Sequence, residues 1–374
     1  MAQGKLRVGV VFGGRSGEHE VSLASATSVL AALDPQKYDV VPIGIAPDGR
    51  WISSANALRM LKAKTALEGE PERLLVPEPN RQALVSAEAG PEKSLPLDVV
   101  FPVIHGTLGE DGSLQGLLEL ADIPYVGAGV LGSALGMDKI AQKQVLERAG
   151  FPVAKYRWHL SSAFRKDPRR IVRACEAELR YPLFVKPANT GSSVGISKAH
   201  TRSELLRGLE LAAEYDRRLI VEQGVAGARE IECSVLGNDD PVASVLGEIV
   251  PSNEFYDYEA KYVDGKSAAI IPAPLPAPLG KKIRAMAVAA FRTIDCAGMA
   301  RVDFFVVRRT GRIVINELNT IPGFTSISMY AKLWEASGLP YGELLDRLIA
   351  LALERHRQKG SLSRSYTPAK EWYR

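Results

Sequence analysis

The sequence predicts a mixed chain, α/β at its N-terminus and α+β beyond it, and three observations carry that expectation. A β-rich run at 6–12 breaks into Gly13-Gly14-Arg15-Ser16-Gly17 and then into a helical pattern from about Val21 to Leu33, which is how a doubly wound domain begins. A second apolar run, 97–104, ends in another glycine-rich loop, His105-Gly106-Thr107-Leu108-Gly109-Glu110-Asp111-Gly112, ahead of a helix near Ser113. Far downstream, two runs rich in Val, Ile and Phe flank a turn ending in Gly311 and read as an antiparallel hairpin.

At 374 residues the chain is too long for one core, so two or three domains are expected. A net charge of +4 with both signs interspersed argues against a nucleic-acid stripe or a polybasic membrane patch. No apolar run approaches the ~18 residues that span a bilayer, and no cleavage site follows Lys5 and Arg7. A soluble, cytoplasmic protein with neither nucleic-acid nor membrane partners is expected. Cys175, Cys233 and Cys296 lie far apart without a Cys-x-x-Cys and read as buried thiols. The histidines show no ligand-like spacing.

In order along the chain, the first strand-end loop lacks the G-x-G-x-x-G spacing, and no acid ends the next strand at 38–45, which argues against a dinucleotide site. Glu18 there reads as a complement to the helix dipole, and Glu20 as better placed to hold an ammonium group. Residues 51–95, broken by Pro, Glu and Arg, read as an irregular insertion. His105, at a strand end beside glycines, is a candidate for orienting Glu20 or a substrate. A helix is expected over 131–149, with a boundary near 130, and strands at 153–160 and 182–186.

Lys186-Pro-Ala-Asn-Thr-Gly191-Ser192-Ser193-Val194-Gly195 is a lysine followed by a Gly-Ser-Ser-x-Gly turn between β runs. Backbone N–H groups and hydroxyls there can close over a phosphate, although the order is not that of a P-loop. Glu222, at the end of a strand, can accept from an adenine amino group and Glu230 from ribose hydroxyls; composition alone equally allows solvated edge charges. Residues 229–236 alternate in period two, and 242–250 continue the sheet. Residues 254–265 lose all periodicity while holding Tyr256, Tyr258 and Tyr262, and read as a functional loop or lid within 251–272. A core helix at 277–297, an amphipathic helical region at 329–356 and a loose tail from Gly360 complete the chain.

The hairpin carries the chemistry. A three-residue loop, 309–311 with Gly311 left-handed, sets Arg308 against Arg312, Asp303 against Glu317 and Arg301 against Asn319. Two carboxylates and an amide oxygen meeting across a ladder call for a cation, and hard oxygen ligands suit Mg²⁺, which takes its other ligands from water and nucleotide phosphates. The turn that follows, Thr320-Ile-Pro-Gly323-Phe-Thr-Ser326, can present N–H groups to an anion.

Five strings, Gly13-Gly-Arg-Ser-Gly-Glu-His-Glu20-Val-Ser22, His105–Gly112, Lys186–Gly195, Phe255-Tyr-Asp-Tyr-Glu-Ala-Lys-Tyr262 and Asn316-Glu-Leu-Asn-Thr-Ile-Pro-Gly323, resemble in order those of the D-alanine–D-alanine ligases of the ATP-grasp superfamily. The resemblance covers residues 6 to about 355. It implies an N-terminal α/β domain (1–130) followed by a two-lobed ATP-grasp fold, a central lobe at 131–224 and a C-terminal lobe at 225–374. ATP would lie between the lobes, in a homodimer.

By resemblance, Lys139, Lys186, Ser193 and Lys261 contact ATP phosphates, Glu222 and Glu230 contact adenosine, and Asp303, Glu317 and Asn319 hold two Mg²⁺ ions, with Mn²⁺ able to replace them. The carboxylate of one D-alanine attacks the γ-phosphorus to give an acyl phosphate, and the amine of the second displaces phosphate. Arg301 and the Gly323 N–H form the oxyanion hole. Glu20 holds the first ammonium, Ser192 and Tyr262 link it to the closed loop, Ser328 binds the second carboxylate and His105 supports the first subsite. The chain departs from some members at Gln223, where a basic residue follows the adenine-facing glutamate, so fewer base contacts are implied. Tyr262 favours an amine over a hydroxy acid as second substrate. D-alanine–D-lactate ligation, another ATP-grasp carboxylate–amine ligation and nucleotide binding without turnover are the alternatives.

Overall fold

The apolar run that opens the chain becomes an interior strand of a parallel sheet. The computed structural model describes residues 4–64, 72–86, 90–191, 193–250, 268–325, 328–363 and 365–366. The first elements are β1 (Leu6–Gly13), α1 (His19–Ala32), β2 (Tyr38–Ile45), β3 (Trp51–Ile52) and α2 (Ala57–Ala63). They are followed by β4 (Arg73–Leu75), β5 (Ala83–Ser86), β6 (Gly90–Pro96), β7 (Val99–Pro102) and α3 (Ser113–Leu120). The order β3-β2-β1-β7 sets β1 between two parallel neighbours. Loops leaving β1 and β7 therefore part at their carboxyl ends, where a doubly wound sheet opens its crevice.

Region 51–95 is not irregular as expected: it supplies β3, α2 and a three-stranded antiparallel sheet, β4-β5-β6. Strands as short as three and four residues carry too little periodicity to be read from a sequence window. Nor is 131–149 one helix. The chain forms α4 (Val130–Met137) and α5 (Lys139–Arg148), parted at Asp138, whose ψ of 102° is extended and whose carboxylate caps α5 by accepting from Ala141 N–H at 2.8 Å.

Next come β8 (Tyr156–Leu160), α6 (Ser161–Lys166), α7 (Pro168–Glu178), β9 (Leu183–Pro187), β10 (Ser197–Ala199), α8 (Arg202–Tyr215) and β11 (Arg218–Gln223). They make an antiparallel sheet, β10-β9-β11-β8. Period-two alternation sends Leu183, Val185, Leu219 and Val221 into a core against α7 and α8, which leaves Lys186 and Glu222 on the opposite face.

The last sheet, β14-β13-β12-β15-β16, uses β12 (Ala228–Gly237), β13 (Val242–Val250), β14 (Ala268–Ile270), β15 (Gly298–Val307) and β16 (Ile313–Asn319), with α9 (Ala277–Thr293) between β14 and β15. Val302, Phe304 and Val306 pack on Ile283, Ala287 and Phe291 of α9, so the same alternation turns Arg301 and Asp303 to the other side. Of the expected lid, 251–267 lies outside the described residues, and so do 364 and 367–374 of the expected tail.

At the functional end the hairpin has the expected register, Asp303 opposite Glu317 and Arg301 opposite Asn319, but it arrives there differently. Val307 N–H bonds Arg312 O at 3.0 Å, so the loop has four residues, 308–311, with Gly311 at φ +66°, and Val306 faces Ile313. A β-bulge at Asn316 absorbs the one-residue slip.

The chain closes with α10 (Met329–Ala336) and α11 (Tyr341–Gly360). Helix α11 returns to the N-terminal sheet, where Leu344, Leu345 and Leu348 join Val8, Val10 and Phe101 in one core. Truncating a fully buried leucine such as Leu348 to alanine costs about 2–5 kcal/mol. Arg355 of α11 donates to Gly127 O at 2.6 Å and Tyr125 O at 3.1 Å, tying the helix to the segment ahead of α4. Cys175, Cys233 and Cys296 are buried free thiols. Among the described residues no helix is long and apolar enough to cross a membrane.

Candidate active site

Between the three larger sheets lies a cleft of about 740 Å³, a size suited to small-molecule substrates. Its central wall is basic. Lys186 of β9 and Glu222 of β11 are diagonal neighbours on the cleft face, with Nζ 3.0 Å from Oε2. Lys143 reaches the other oxygen, Oε1, at 3.3 Å from α5. All three are nearly inaccessible to water, at 8%, 3% and 2% exposure for Lys186, Glu222 and Lys143.

Burial alone would raise the Glu222 pKa, but Lys143 and Lys186 outweigh it and hold the carboxylate below its ordinary value. Lys186 is raised, because Glu222 and Glu317 overcome its desolvation. Lys139 and Lys143 are lowered, burial winning over the same carboxylates. Lys139 is the first residue of α5, and its Nζ donates to the Thr190 carbonyl in the glycine-rich loop. Asp138 anchors that loop: besides capping α5 it accepts from Asn189 Nδ2 at 2.7 Å and pairs with Arg218.

The facing wall is acidic. Arg301 grips Asp303 with two bonds, Nε to Oδ1 and Nη2 to Oδ2, each 2.7 Å, the strong bidentate geometry of guanidinium with carboxylate. Its Nε is also 3.1 Å from Glu232 Oε2, and Asn319 Nδ2 donates to Asp303 Oδ2 at 3.0 Å. Desolvation would lower the Arg301 pKa; Asp303 and Glu232 overrule it and raise it well above the ordinary value. Glu317 and Glu230 line the same wall.

At the N-terminal corner the sequence reading of the two glutamates is reversed. Glu20 has a side chain 58% exposed, sits 3.2 Å from Lys64 and lies outside the cleft. Glu18 is buried in the cleft lining. Glu18 precedes α1 as its N-cap and turns into the cleft, whereas Glu20 lies in the first turn and faces outward. The Glu18 carboxylate lies so close to Gly106 and Gly191 that a Cβ would fall 2.4 Å and 2.0 Å from its Oε2. At φ +77°, Gly106 also has a backbone that suits glycine.

His105 does not orient Glu20. Its Nδ1 faces Glu110 Oε1 at 3.3 Å and the Ile321 carbonyl at 3.2 Å, while Nε2 is 2.9 Å from Ser25 Oγ, which takes the Phe324 N–H at 3.3 Å. The ring thus braces the turn that holds Gly323. Burial pushes Glu110 up to about 6, and His105 is raised because the Glu110 carboxylate outweighs its own desolvation.

Gly323, Ser328 and Ser193 line the cleft. Ser328 Oγ accepts from Thr325 N–H at 2.9 Å. Ser192, Lys261 and Tyr262 lie outside the described residues. The sequence reading passed over Lys143, Glu232, Glu110 and Lys332, all in or against the cleft. Lys143 stands one helical turn beyond Lys139, and Glu232 two strand positions beyond Glu230, so each shares a face with a residue already singled out.

The acidic wall fits Mg²⁺. Among the described residues no group of three His, Cys, Asp or Glu side chains is poised for a metal, and Asp303, Glu317 and Asn319 offer two carboxylates and one amide, all oxygen. That partial set is what an ion sharing its shell with nucleotide phosphates and water takes.

Family models described as "D-ala D-ala ligase N-terminus" and "D-ala D-ala ligase C-terminus" match residues 7–128 and 145–350. The chain belongs to the D-alanine–D-alanine ligase family. It is 51% identical over 363 residues to the D-alanine–D-alanine ligase of Natranaerobius thermophilus, covering 97% of this chain and 99% of that one. With the enzyme of the same name from Geobacillus thermodenitrificans it shares 47%, over 97% and 99% of the two chains. Among solved structures, the D-alanine–D-alanine ligase of Coxiella burnetii superposes with a TM-score of 0.82 at 38% identity, covering 95% and 96%. The VanG D-Ala:D-Ser ligase of Enterococcus faecalis gives 0.82 and 38%, covering 93% and 100%. These neighbours carry the ATP-grasp fold expected from the sequence.

Proposed function

We propose that the protein joins two D-alanine molecules into D-alanyl-D-alanine at the expense of ATP, as a step toward peptidoglycan precursors. The observation that carries this reading is the cleft itself: a buried lysine wall faces a hard-oxygen wall in which Arg301 is held by Asp303 and Glu232, and the Gly323 turn lines the same cleft. A protein that only bound nucleotide would have no use for a guanidinium fixed in that cleft beside the oxygen ligands.

Lys139 and Lys186 hold the phosphates from the central wall, and Glu222 and Glu230 lie along the adenosine side. Asp303, Glu317 and Asn319 hold Mg²⁺, which when bound neutralises charge on the transferring phosphoryl oxygens. The carboxylate oxygen of the first D-alanine attacks the γ-phosphorus as the bond to ADP breaks. The neutral amine of the second attacks the resulting acyl carbon, and the oxyanion is met by Arg301 and the Gly323 N–H. The C–O bond to phosphate then breaks and the nitrogen sheds its extra proton.

Glu18, rather than Glu20, holds the first ammonium. Ser192 follows the glycine against which Glu18 rests, so the link from Ser192 to Tyr262 passes to Glu18. Lys261 meets the phosphate and Ser328 the second carboxylate. Division near 130 and near 224 is supported by the change of sheet at both places. Cytoplasmic location rests on the sequence reading and a homodimer on the resemblance, and light scattering of the purified protein tests the latter.

D-serine as second substrate is kept as a second reading, because a D-Ala:D-Ser ligase shares the fold to the same TM-score. Mass analysis of products from ATP with equimolar D-alanine, D-serine and D-lactate decides. D-alanyl-D-alanine as the main product is expected; a predominance of either mixed product would replace this reading.

A further inference from the structure

β16 is the outermost strand of its sheet, with β15 on one side only. The N–H and C=O groups on its far edge must still be satisfied, because this edge is buried. Pro152 O takes the Ile315 N–H at 2.8 Å, and beyond that point helix α5 serves the edge with side chains. Gln142, 1% exposed, accepts from Leu318 N–H at 3.0 Å through Oε1, and through Nε2 donates to Leu318 O at 3.1 Å and to Gly136 O at 2.7 Å. Only this orientation of the amide satisfies all three contacts. Its side chain therefore pairs Leu318 as the peptide group of another strand would. The neighbouring Lys143 donates to Asn316 O, at the bulge, at 3.1 Å.

Leu318 lies between Glu317 and Asn319. Their side chains share the cleft face, and a bond from outside the sheet to the backbone of Leu318 constrains both. Lys139 stands on the same helix, one turn before Gln142 and Lys143. One rigid helix thus carries the phosphate-facing lysine and clamps the strand that bears two of the three oxygen ligands.

We propose that Gln142 is a positioning residue for the metal pair: by bonding both backbone groups of Leu318 it fixes Glu317 and Asn319 relative to Lys139, so that phosphate and cation keep a set spacing. The inference rests on the reading that Glu317 and Asn319 hold Mg²⁺. Loss of the amide would leave a buried N–H and C=O unpaired and let the strand edge shift, with little change in the volume filled.

The test compares wild type, Gln142→Met and Glu317→Gln, using Mn²⁺ binding by electron paramagnetic resonance in the presence of a non-hydrolysable ATP analogue. Nucleotide affinity without metal and hydrogen exchange at the Leu318 amide are measured in parallel. Gln142→Met is expected to weaken Mn²⁺ by about tenfold or more, to leave metal-free nucleotide binding unchanged and to speed exchange at Leu318. Glu317→Gln should weaken Mn²⁺ at least as much. If Gln142→Met only lowers the melting temperature and the folded protein binds Mn²⁺ normally while Glu317→Gln does not, the clamp is structural and the inference is overturned. Normal Mn²⁺ affinity in Glu317→Gln would overturn the metal reading and the inference with it. Should Gln142→Met not fold, Gln142→Glu, which keeps the volume and the bond from Leu318 N–H but loses the donor, is judged by the same outcomes.

Discussion

On the central wall of the cleft, Lys143 and Lys186 share one carboxylate, Glu222; on the C-terminal wall, Glu232 and Asp303 share one guanidinium, Arg301. The two arrangements are near inversions of each other, yet they behave differently. A lysine can lose its proton, and burial already lowers Lys139 and Lys143 while Lys186 is raised. A guanidinium cannot, so the charge on the second wall stays fixed whichever acid it holds. The wall proposed to receive phosphates is thus adjustable, and the wall proposed to meet the developing oxyanion is not.

Removing the fixed charge should be the most damaging change. Arg301→Met is expected to lower turnover on the order of 10³-fold, read from steady-state phosphate release; a loss below tenfold would mean the guanidinium merely balances Asp303 and Glu232. Next comes the cation proposed for the same wall. Glu317→Gln should raise the Mg²⁺ requirement by about 10- to 100-fold, seen in activity against Mg²⁺ concentration, and an unchanged titration would remove Glu317 from the site.

The pin of the basic wall is a matter of folding more than of chemistry. Glu222→Gln strands Lys143 and Lys186 and should cost about 3–5 kcal/mol of stability near neutral pH. The lowered pKa of Glu222 means that its contribution is present above the ordinary 4.5 and is lost as the pH falls through the lowered value. The gap between wild type and variant in urea unfolding should therefore shrink on acidification below about 4.5. A gap that widened there would reverse the assigned sign. The smallest contrast lies at the N-terminal corner. Glu18→Gln should raise KM for D-alanine by about 10- to 100-fold through a lost charged hydrogen bond, whereas Glu20→Gln, an exposed partner of Lys64, should change it less than about twofold.

Sequence alone carried the acidic wall further than the basic one. Alternation along β15 and β16 forces Arg301 with Asp303, and Glu317 with Asn319, onto shared faces, and no tertiary knowledge is needed for that. The cross-strand pairing was reached through two compensating errors, a loop one residue too short and an unforeseen bulge at Asn316. Neither leaves a mark in composition. The basic wall depends on which helix covers which strand edge, so nothing in the sequence assigned Gln142 and Lys143 a role. The sequence left open where α1 begins, and so which of Glu18 and Glu20 faces the cleft; with His19 as its first residue, Glu18 lines the cleft and Glu20 is exposed. In 51–95, β3, β4 and β5 were too short to show a period.

The most direct test of the account follows oxygen. Turnover of ATP with D-alanine carrying ¹⁸O in its carboxylate should release phosphate with one heavy oxygen for each dipeptide formed, because the first carboxylate gives up an oxygen when the acyl phosphate is displaced. Unlabelled phosphate alongside dipeptide would contradict that route, and no D-alanine-dependent phosphate at all would contradict the ligase.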